Sequence, residues 1–267
     1  MTSVPITSLT NPRIKAAVRL RDRREREETG LTVVDGAREI LRALDAGVRF
    51  ETTYVAPDVV RSPDAVEVVD RLGRRETTIE VSPAVLAKIA FGDRSDGVVA
   101  VVEPPRIALD DLALPDEPLV VVVEAVEKPG NLGAIMRSAD GAGVAAVVAV
   151  DPRTDVFNPN TIRASLGTIF ALPVVTADAA AARGWMAKHR IGPVAAVVDA
   201  PRRYTAADLR GAVAIVLGSE ADGLSRAWRD EDLVAVSIPM AGIADSLNVS
   251  VAAAILLYEA VRQRTVT

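Results

Sequence analysis

Six continuous apolar runs in the second part of the chain constrain its fold more than any other feature. They are LVVVVEAV, AAVVAV, ALPVVT, GPVAAVVDA, AVAIVLG and LVAVSIP. Unbroken runs of valine, isoleucine and leucine are expected where helices cover both faces of a parallel sheet. Helical stretches separate the runs, so we predict a parallel-sheet α/β domain over residues 119–267.

The first part of the chain predicts a smaller α/β domain. Its strand-like runs LTVVDG, VRFETTYVA, TTIEVS and GVVAVV alternate with helical stretches. Residues 106–118 lie in a proline-rich stretch, and proline continues neither a helix nor a central strand. We therefore expect domains at 1–105 and 119–267, joined by a linker at 106–118.

Composition excludes several kinds of site. The 267 residues contain no cysteine, which rules out disulfides, thiolate metal ligands and cysteine nucleophiles. The single His189, in AKHRIG, reads as an exposed helix end, so we expect no metal. Every apolar run is shorter than the ~18 to 20 residues that span a bilayer. We expect a cytoplasmic protein without a membrane partner.

A basic stretch near the amino terminus is the clearest candidate for contact with nucleic acid. The net charge is −5, yet seven basic residues and two acids lie between Arg13 and Arg26. We predict one helix here, with Arg19, Arg23 and Arg26 on one face. These side chains either contact phosphates or form a solvated helix face.

The loop EKPGNLGAIMRSADGAGV follows the first long apolar run and fits neither common nucleotide-binding motif. A P-loop needs a Lys–Ser/Thr pair after its second glycine, and a dinucleotide fingerprint needs G-x-G-x-x-G. Gly130 and Gly133 have a different spacing. The loop does offer Asn131 at a predicted helix start and Arg137 two turns inside that helix. A capping amide and a solvated arginine are the plain alternatives.

Two later loops also combine glycine with polar side chains. GSEADGLS contains Glu220, and IPMAGIADSLNVS contains Ser246 and Asn248, either of which can cap the last helix. All three loops follow predicted parallel strands, and α/β proteins bind ligands at the carboxyl ends of such strands. We therefore expect the three loops to form one site.

These segments resemble the SpoU, or TrmH-like, branch of the SPOUT RNA ribose methyltransferases. NLGAIMRSA is similar to the family's first motif, IVLGSEADGLS to its second and IPMAGIADSLNVSVAAAILLYE to its third. The amino-terminal part resembles the L30e-like substrate-binding domain that is often fused to the catalytic domain. The resemblance implies a deep trefoil knot near the carboxyl end and a homodimer with active sites at the subunit interface.

The resemblance also implies a reaction and a set of site residues. It implies transfer of a methyl group from S-adenosylmethionine to a ribose 2′-hydroxyl, with 23S rRNA as substrate. The open alternatives are a tRNA substrate, a dinucleotide-binding α/β protein, and an RNA-binding module without activity. The implied catalytic residues are Asn131, Arg137, Glu220, Ser246 and Asn248. The implied cofactor-binding residues are Leu217, Gly218, Ile238, Met240, Ser246 and Leu247. Arg163 joins Arg19, Arg23 and Arg26 as a residue expected to contact RNA.

Overall fold

A computed structural model describes residues 4–72, 75–91, 96–228 and 233–265. The strands in these ranges are β1 Thr32–Asp35, β2 Arg49–Val55, β3 Thr78–Glu80, β4 Val98–Glu103, β5 Leu119–Glu124, β6 Ala146–Val150, β7 Val174–Ala177, β8 Gly192–Ala196, β9 Val213–Leu217 and β10 Val234–Val236. The helices are α1 Pro12–Arg19, α2 Arg23–Thr29, α3 Ala37–Asp45, α4 Pro63–Leu72, α5 Pro83–Ile89, α6 Pro129–Gly141, α7 Pro159–Ala164, α8 Ala179–Lys188 and α9 Val249–Thr265.

The chain divides into two compact units. The first comprises Met1–Pro105 together with Phe157–Ala171, and the second comprises Arg106–Val156 and Leu172–Thr267. Across the described ranges, no helix combines the length and the apolar character needed to cross a bilayer.

The second unit is built on a six-stranded sheet in which every pairing is parallel. The strand order is β10-β8-β9-β5-β6-β7. Val120 and Val122 of β5 belong to a buried cluster with Trp185 of α8, while the alternate residues Val121 and Val123 are also buried. Both faces of the sheet are therefore covered. The predicted parallel α/β fold and its six strands are confirmed.

The first unit has a four-stranded mixed sheet with the order β1-β4-β2-β3. β4 is antiparallel to both β1 and β2, and β3 runs parallel to β2. The four predicted strands are present. Ile14 of α1 and Leu86 of α5 lie in the buried cluster on this sheet, and α1 packs against α5.

Residues 157–171 belong to the first unit, although the sequence prediction included them in the domain 119–267. α7 packs against β1, and the 3-10 turn at Thr168–Phe170 packs against α3. The Thr32 hydroxyl donates to the Phe157 carbonyl at 2.8 Å, and the Arg42 guanidinium donates to the Leu166 carbonyl at 2.7 Å. The sequence of this segment carries no information about which of the two sheets it packs on.

The prediction of one helix between Arg13 and Arg26 is wrong. α1 ends at Arg19, and α2 begins after Asp22, whose side chain caps the new helix by accepting from the Arg24 amide at 2.8 Å. An aspartate at this position offers the backbone a helix start, which competes with continuation of the first helix.

The prediction that Arg26 shares an exposed helix face with Arg19 and Arg23 is therefore wrong. The Arg26 side chain is buried, and its guanidinium donates to the carbonyls of Leu20 and Arg21 at 2.8 and 2.9 Å. These carbonyls lie at the end of α1, where helical partners are missing. Arg26 thus holds the break between the two helices together.

Candidate active site

A cavity of about 600 Å³ opens at the carboxyl ends of β8, β9 and β10. Parallel strands end together at one edge of a sheet, which is where α/β proteins bind their ligands. The six residues expected to bind the cofactor all line this cavity, namely Leu217, Gly218, Ile238, Met240, Ser246 and Leu247. Two loops that are separate in the sequence, and that we predicted to share one site, thus line the same cavity.

Gly218 allows the loop after β9 to fold back on itself. A Cβ atom at Gly218 would lie 2.2 Å from the carbonyl carbon of Gly223, closer than any side chain tolerates. Gly223 itself has a φ of +65°, which glycine adopts without strain. The amides and carbonyls of Ser219 and Gly223 pair in both directions at 3.1 Å. The second motif therefore forms a tight turn beside the cavity.

Two further contacts hold this turn in place. Buried Glu124, the last residue of β5, accepts from both the amide and the hydroxyl of Ser225 at 2.7 Å. Arg153 pairs with Glu127 and lies 3.3 Å from Asp222, and these hydrogen bonds raise the pKa of the Arg153 guanidinium. The loops after β5, β6 and β9 are therefore connected by side chains.

Asn131 joins the three motifs directly. Its side-chain amide donates to the Glu220 carboxylate, and its side-chain carbonyl accepts from the Asn248 amide at 3.1 Å. Asn131 lies in the first turn of α6, Glu220 in the turn after β9 and Asn248 just before α9. Three polar side chains from the three predicted loops thus form one hydrogen-bonded chain. Glu220 and Asn248 also line the cavity.

Asn248, rather than Ser246, caps the last helix. Its side-chain oxygen accepts from the Ser250 amide at 2.9 Å, and its backbone carbonyl accepts from the amides of Val251 and Ala252. Of the Asn248 side chain, the cap uses only the oxygen, so the side-chain nitrogen can donate to Asn131. Ser246 lines the cavity instead.

Arg137 is the predicted catalytic residue that neither lines the cavity nor belongs to the hydrogen-bonded chain of Asn131. It is exposed on α6 and is absent from the cavity lining. Within the part of the chain that the structure describes, the Arg137 side chain makes no hydrogen bond or ion pair.

The arginines expected to contact RNA lie in the first unit. Arg163 belongs to α7, and its guanidinium lies 3.6 Å from the buried Asp35 carboxylate while 35% of its side chain stays exposed. Arg19 pairs with Glu25 at 2.9 Å and Arg23 with Glu27 at 2.6 Å, both on the surface. These exposed arginines can still exchange a surface partner for a phosphate, because such pairs are weak.

Several residues of the cavity lining were not among the predicted site residues, and they include four that belong to no predicted motif. Ala196, Val197 and Val198 follow β8, and Lys128 precedes α6. The run GPVAAVVDA could have indicated the first three, because its carboxyl end lies at the same sheet edge as the predicted loops.

In the described ranges, no group of three or more histidine, aspartate or glutamate side chains is placed to hold a metal ion. His189 is the exposed residue that ends α8.

Comparison with known families agrees with this architecture. The profile of the SpoU rRNA Methylase family matches residues 118–258. The profile of the MRM3-like substrate binding domain matches residues 11–100. The first match contains the whole cavity lining, and the second lies within the first unit.

Individual relatives extend over nearly the whole chain. The sequence is 33% identical over 254 residues to the 23S rRNA (uridine(2479)-2'-O)-methyltransferase of Streptomyces viridochromogenes, covering 92% of this chain and 87% of that protein. The fold matches the crystal structure of an RNA 2'-O ribose methyltransferase with a TM-score of 0.85 and 41% identity, covering 97% of this chain and 99% of the other. It matches the AdoMet-bound rRNA methyltransferase of Sinorhizobium meliloti with a TM-score of 0.87 and 31% identity, covering 97% of each chain. The chain therefore belongs to the SpoU rRNA methylase family.

Proposed function

We propose that this chain transfers the methyl group of S-adenosylmethionine to a ribose 2′-hydroxyl of ribosomal RNA, with 23S rRNA as the substrate. The observation that carries the proposal is the hydrogen-bonded chain Glu220–Asn131–Asn248 beside the cavity. It joins the loop of Asn131 to two loops whose polar residues lie 89 and 117 residues further along the chain. The relatives named above are a 23S rRNA 2'-O-methyltransferase, an RNA 2'-O ribose methyltransferase and an rRNA methyltransferase.

The cavity suits the adenosine part of S-adenosylmethionine. Leu217, Ile238, Met240 and Leu247 give it apolar walls, and Gly218 keeps backbone groups accessible. A planar base needs such a slot, with a few backbone donors and acceptors for recognition. The volume of about 600 Å³ lies in the usual range of small-molecule sites.

The reaction is a displacement at the methyl carbon. The bond between the sulfonium sulfur and the methyl carbon breaks, and a bond from the ribose oxygen to that carbon forms. The electron pair of the broken bond stays on sulfur as S-adenosylhomocysteine leaves, and the hydroxyl proton is released to water, which balances the positive charge that the sulfonium loses. The protein must align oxygen, carbon and sulfur, because positioning accounts for a large part of such rate enhancements.

Arg137 orients and activates the ribose hydroxyl in this proposal. A guanidinium is a very poor base, so we assign it hydrogen bonding to the hydroxyl or to a neighbouring phosphate rather than proton removal. Because Arg137 is exposed and outside the cavity lining of its own chain, a second copy would supply it. This is the reason for proposing a homodimer with shared active sites.

The first unit binds the RNA in this proposal, through Arg19, Arg23 and Arg163. Its match to a substrate-binding domain supports that role. The trefoil knot remains a prediction from the family resemblance, and a cytoplasmic location remains a prediction from the short apolar runs of the sequence.

The first experiment separates methyl transfer from cofactor binding. Calorimetry should show binding of S-adenosylmethionine and none of NAD. Arg137→Ala should keep cofactor affinity within about threefold and lose at least ~100-fold in methylation of 23S rRNA from cells lacking the gene. Arg210→Ala is the matched control, because Arg210 is an exposed arginine paired with Asp208.

Three results would contradict this proposal. Binding of NAD without S-adenosylmethionine would replace the assigned chemistry by that of a dinucleotide-binding protein. Full activity of Arg137→Ala would remove its catalytic role, and methylation of tRNA but not of 23S rRNA would change the substrate.

A further inference from the structure

We infer that Lys128 binds an oxyanion at the mouth of the cavity. The oxyanion is either the carboxylate of the methionine part of S-adenosylmethionine or a phosphate of the RNA. The inference rests on the proposed function and adds a residue that none of the sequence motifs singles out.

The charges around the cavity support this role. Among the described residues that line it, Lys128 is the only basic one, and the acidic ones are Glu220 and Asp222. Glu220 already accepts from Asn131, and Asp222 lies 3.3 Å from Arg153. Both carboxylates therefore have partners other than Lys128.

The Lys128 ammonium has no such partner. Within the part of the chain that the structure describes, its side chain makes no hydrogen bond or ion pair, and the residue is exposed. An ammonium group held beside an apolar cavity attracts an anion, and the attraction grows when a ligand displaces water.

The backbone of Lys128 is held in place while its side chain remains available. Its carbonyl accepts from the amides of Asn131 and Leu132 at 3.0 and 3.2 Å, which fixes the residue at the start of α6. Pro129 follows directly, and a residue before proline is restricted to extended conformations, in agreement with its φ of −91° and ψ of 118°. The turn that presents Asn131 therefore also places the backbone of Lys128 beside the cavity.

The proposed reaction brings two oxyanions to this place. S-adenosylmethionine carries a carboxylate at its methionine end, and the ribose that receives the methyl group is flanked by phosphates. The cofactor also carries positive charge on its sulfonium and ammonium groups. A lysine beside it is therefore unfavourable unless an oxyanion lies between them.

The test uses the full-length protein with Lys128→Met, Lys128→Arg and the control Lys188→Met. Lys188 is an exposed lysine of the same unit that pairs with Asp110 at 2.7 Å and does not line the cavity. Calorimetry measures the affinity for S-adenosylmethionine and for its decarboxylated form, which lacks only the carboxylate. Steady-state kinetics measure KM for 23S rRNA, and filter binding measures the salt dependence of RNA affinity.

The two sources of the oxyanion give different results. If Lys128 binds the carboxylate, Lys128→Met loses about three- to tenfold in affinity for S-adenosylmethionine and none for the decarboxylated form. If it binds a phosphate, cofactor affinity is unchanged, KM for RNA rises and the salt slope falls by about one. Lys128→Arg keeps most of the affinity in either case.

The inference is overturned if Lys128→Met matches the wild type in both measurements, or if Lys188→Met shows the same losses. Failure of the wild-type protein to bind S-adenosylmethionine would instead overturn the proposed function. The two failures are therefore distinguishable.

Discussion

Asn131 shows how one residue can hold a site together. A side-chain amide has both a donor and an acceptor group, and Asn131 uses one for Glu220 and the other for Asn248. An aspartate in its place could accept from Asn248 but would face the Glu220 carboxylate as a like charge. The residue type at position 131 is therefore explained by its two partners. The sequence predicted its importance, but only the fold shows that those partners belong to the other two motifs.

At the same scale, we predict that Gly218→Ala disrupts cofactor binding. The new methyl group would lie 2.2 Å from the Gly223 carbonyl carbon and 2.5 Å from the Leu224 nitrogen, so the turn must move. Such overpacking costs about 1–3 kcal/mol, and displacement of the cavity wall should weaken S-adenosylmethionine binding at least ~10-fold. Gly130→Ala is the matched control, because among the described residues no atom outside its chain neighbours and its own helix backbone lies within 4 Å of its added Cβ. Calorimetry on both variants checks the prediction, and equal affinities would contradict it.

At the scale of elements, the strands were predictable and the amino-terminal helices were not. Long valine-rich runs such as LVVVVEAV have one low-energy arrangement in an α/β protein, a covered parallel strand. The stretch from Arg13 to Arg26 is rich in good helix formers, so its pattern favours one helix. Asp22 and Arg26 instead stabilise a break through contacts across the turn. Such contacts cannot be predicted from helical periodicity, which reports only which residues share a helix face.

This break separates the basic residues into two groups with different predicted effects. Arg26→Met should lower the free energy of unfolding by about 2–3 kcal/mol, because the carbonyls of Leu20 and Arg21 lose a charged donor and the hydrogen bond to Leu20 is buried. The salt dependence of RNA binding should stay the same. The double variant Arg19→Ala with Arg23→Ala should change stability little and reduce the salt slope by up to about two.

Urea unfolding and RNA binding at several salt concentrations measure both effects. An unchanged slope in the double variant would remove these arginines from the RNA interface. Unchanged stability of Arg26→Met would show that its two hydrogen bonds contribute nothing to the fold.

At the scale of the whole molecule, the first compact unit is not one continuous stretch of the chain. The chain leaves the second unit after Val156, contributes Phe157–Ala171 to the first unit and returns at Leu172. A prediction from the sequence divides a chain at linkers, and the proline-rich stretch after residue 103 provided one. No comparable signal marks residues 157–171, because proline and asparagine at positions 158–160 are also typical of an ordinary helix start. The segment could be assigned only from its tertiary contacts.

The last prediction concerns this segment, namely that residues 1–105 alone do not form a stable first unit. Without residues 157–171 they lose the buried side chains of Ile162, Ile169 and Phe170 and the carbonyl partners of Thr32 and Arg42. Each buried apolar side chain contributes about 1.5–3 kcal/mol, so the loss approaches the whole stability of a small domain. A fragment of residues 1–105 should therefore melt at a clearly lower temperature than the same fragment joined to residues 157–171 by a flexible glycine–serine linker.

A fusion carrying Ile162→Asp and Ile169→Asp is the control and should behave like the short fragment. Circular dichroism measures the three melting curves, and equal melting temperatures for the short fragment and the intact fusion would show that the segment is dispensable for the first unit.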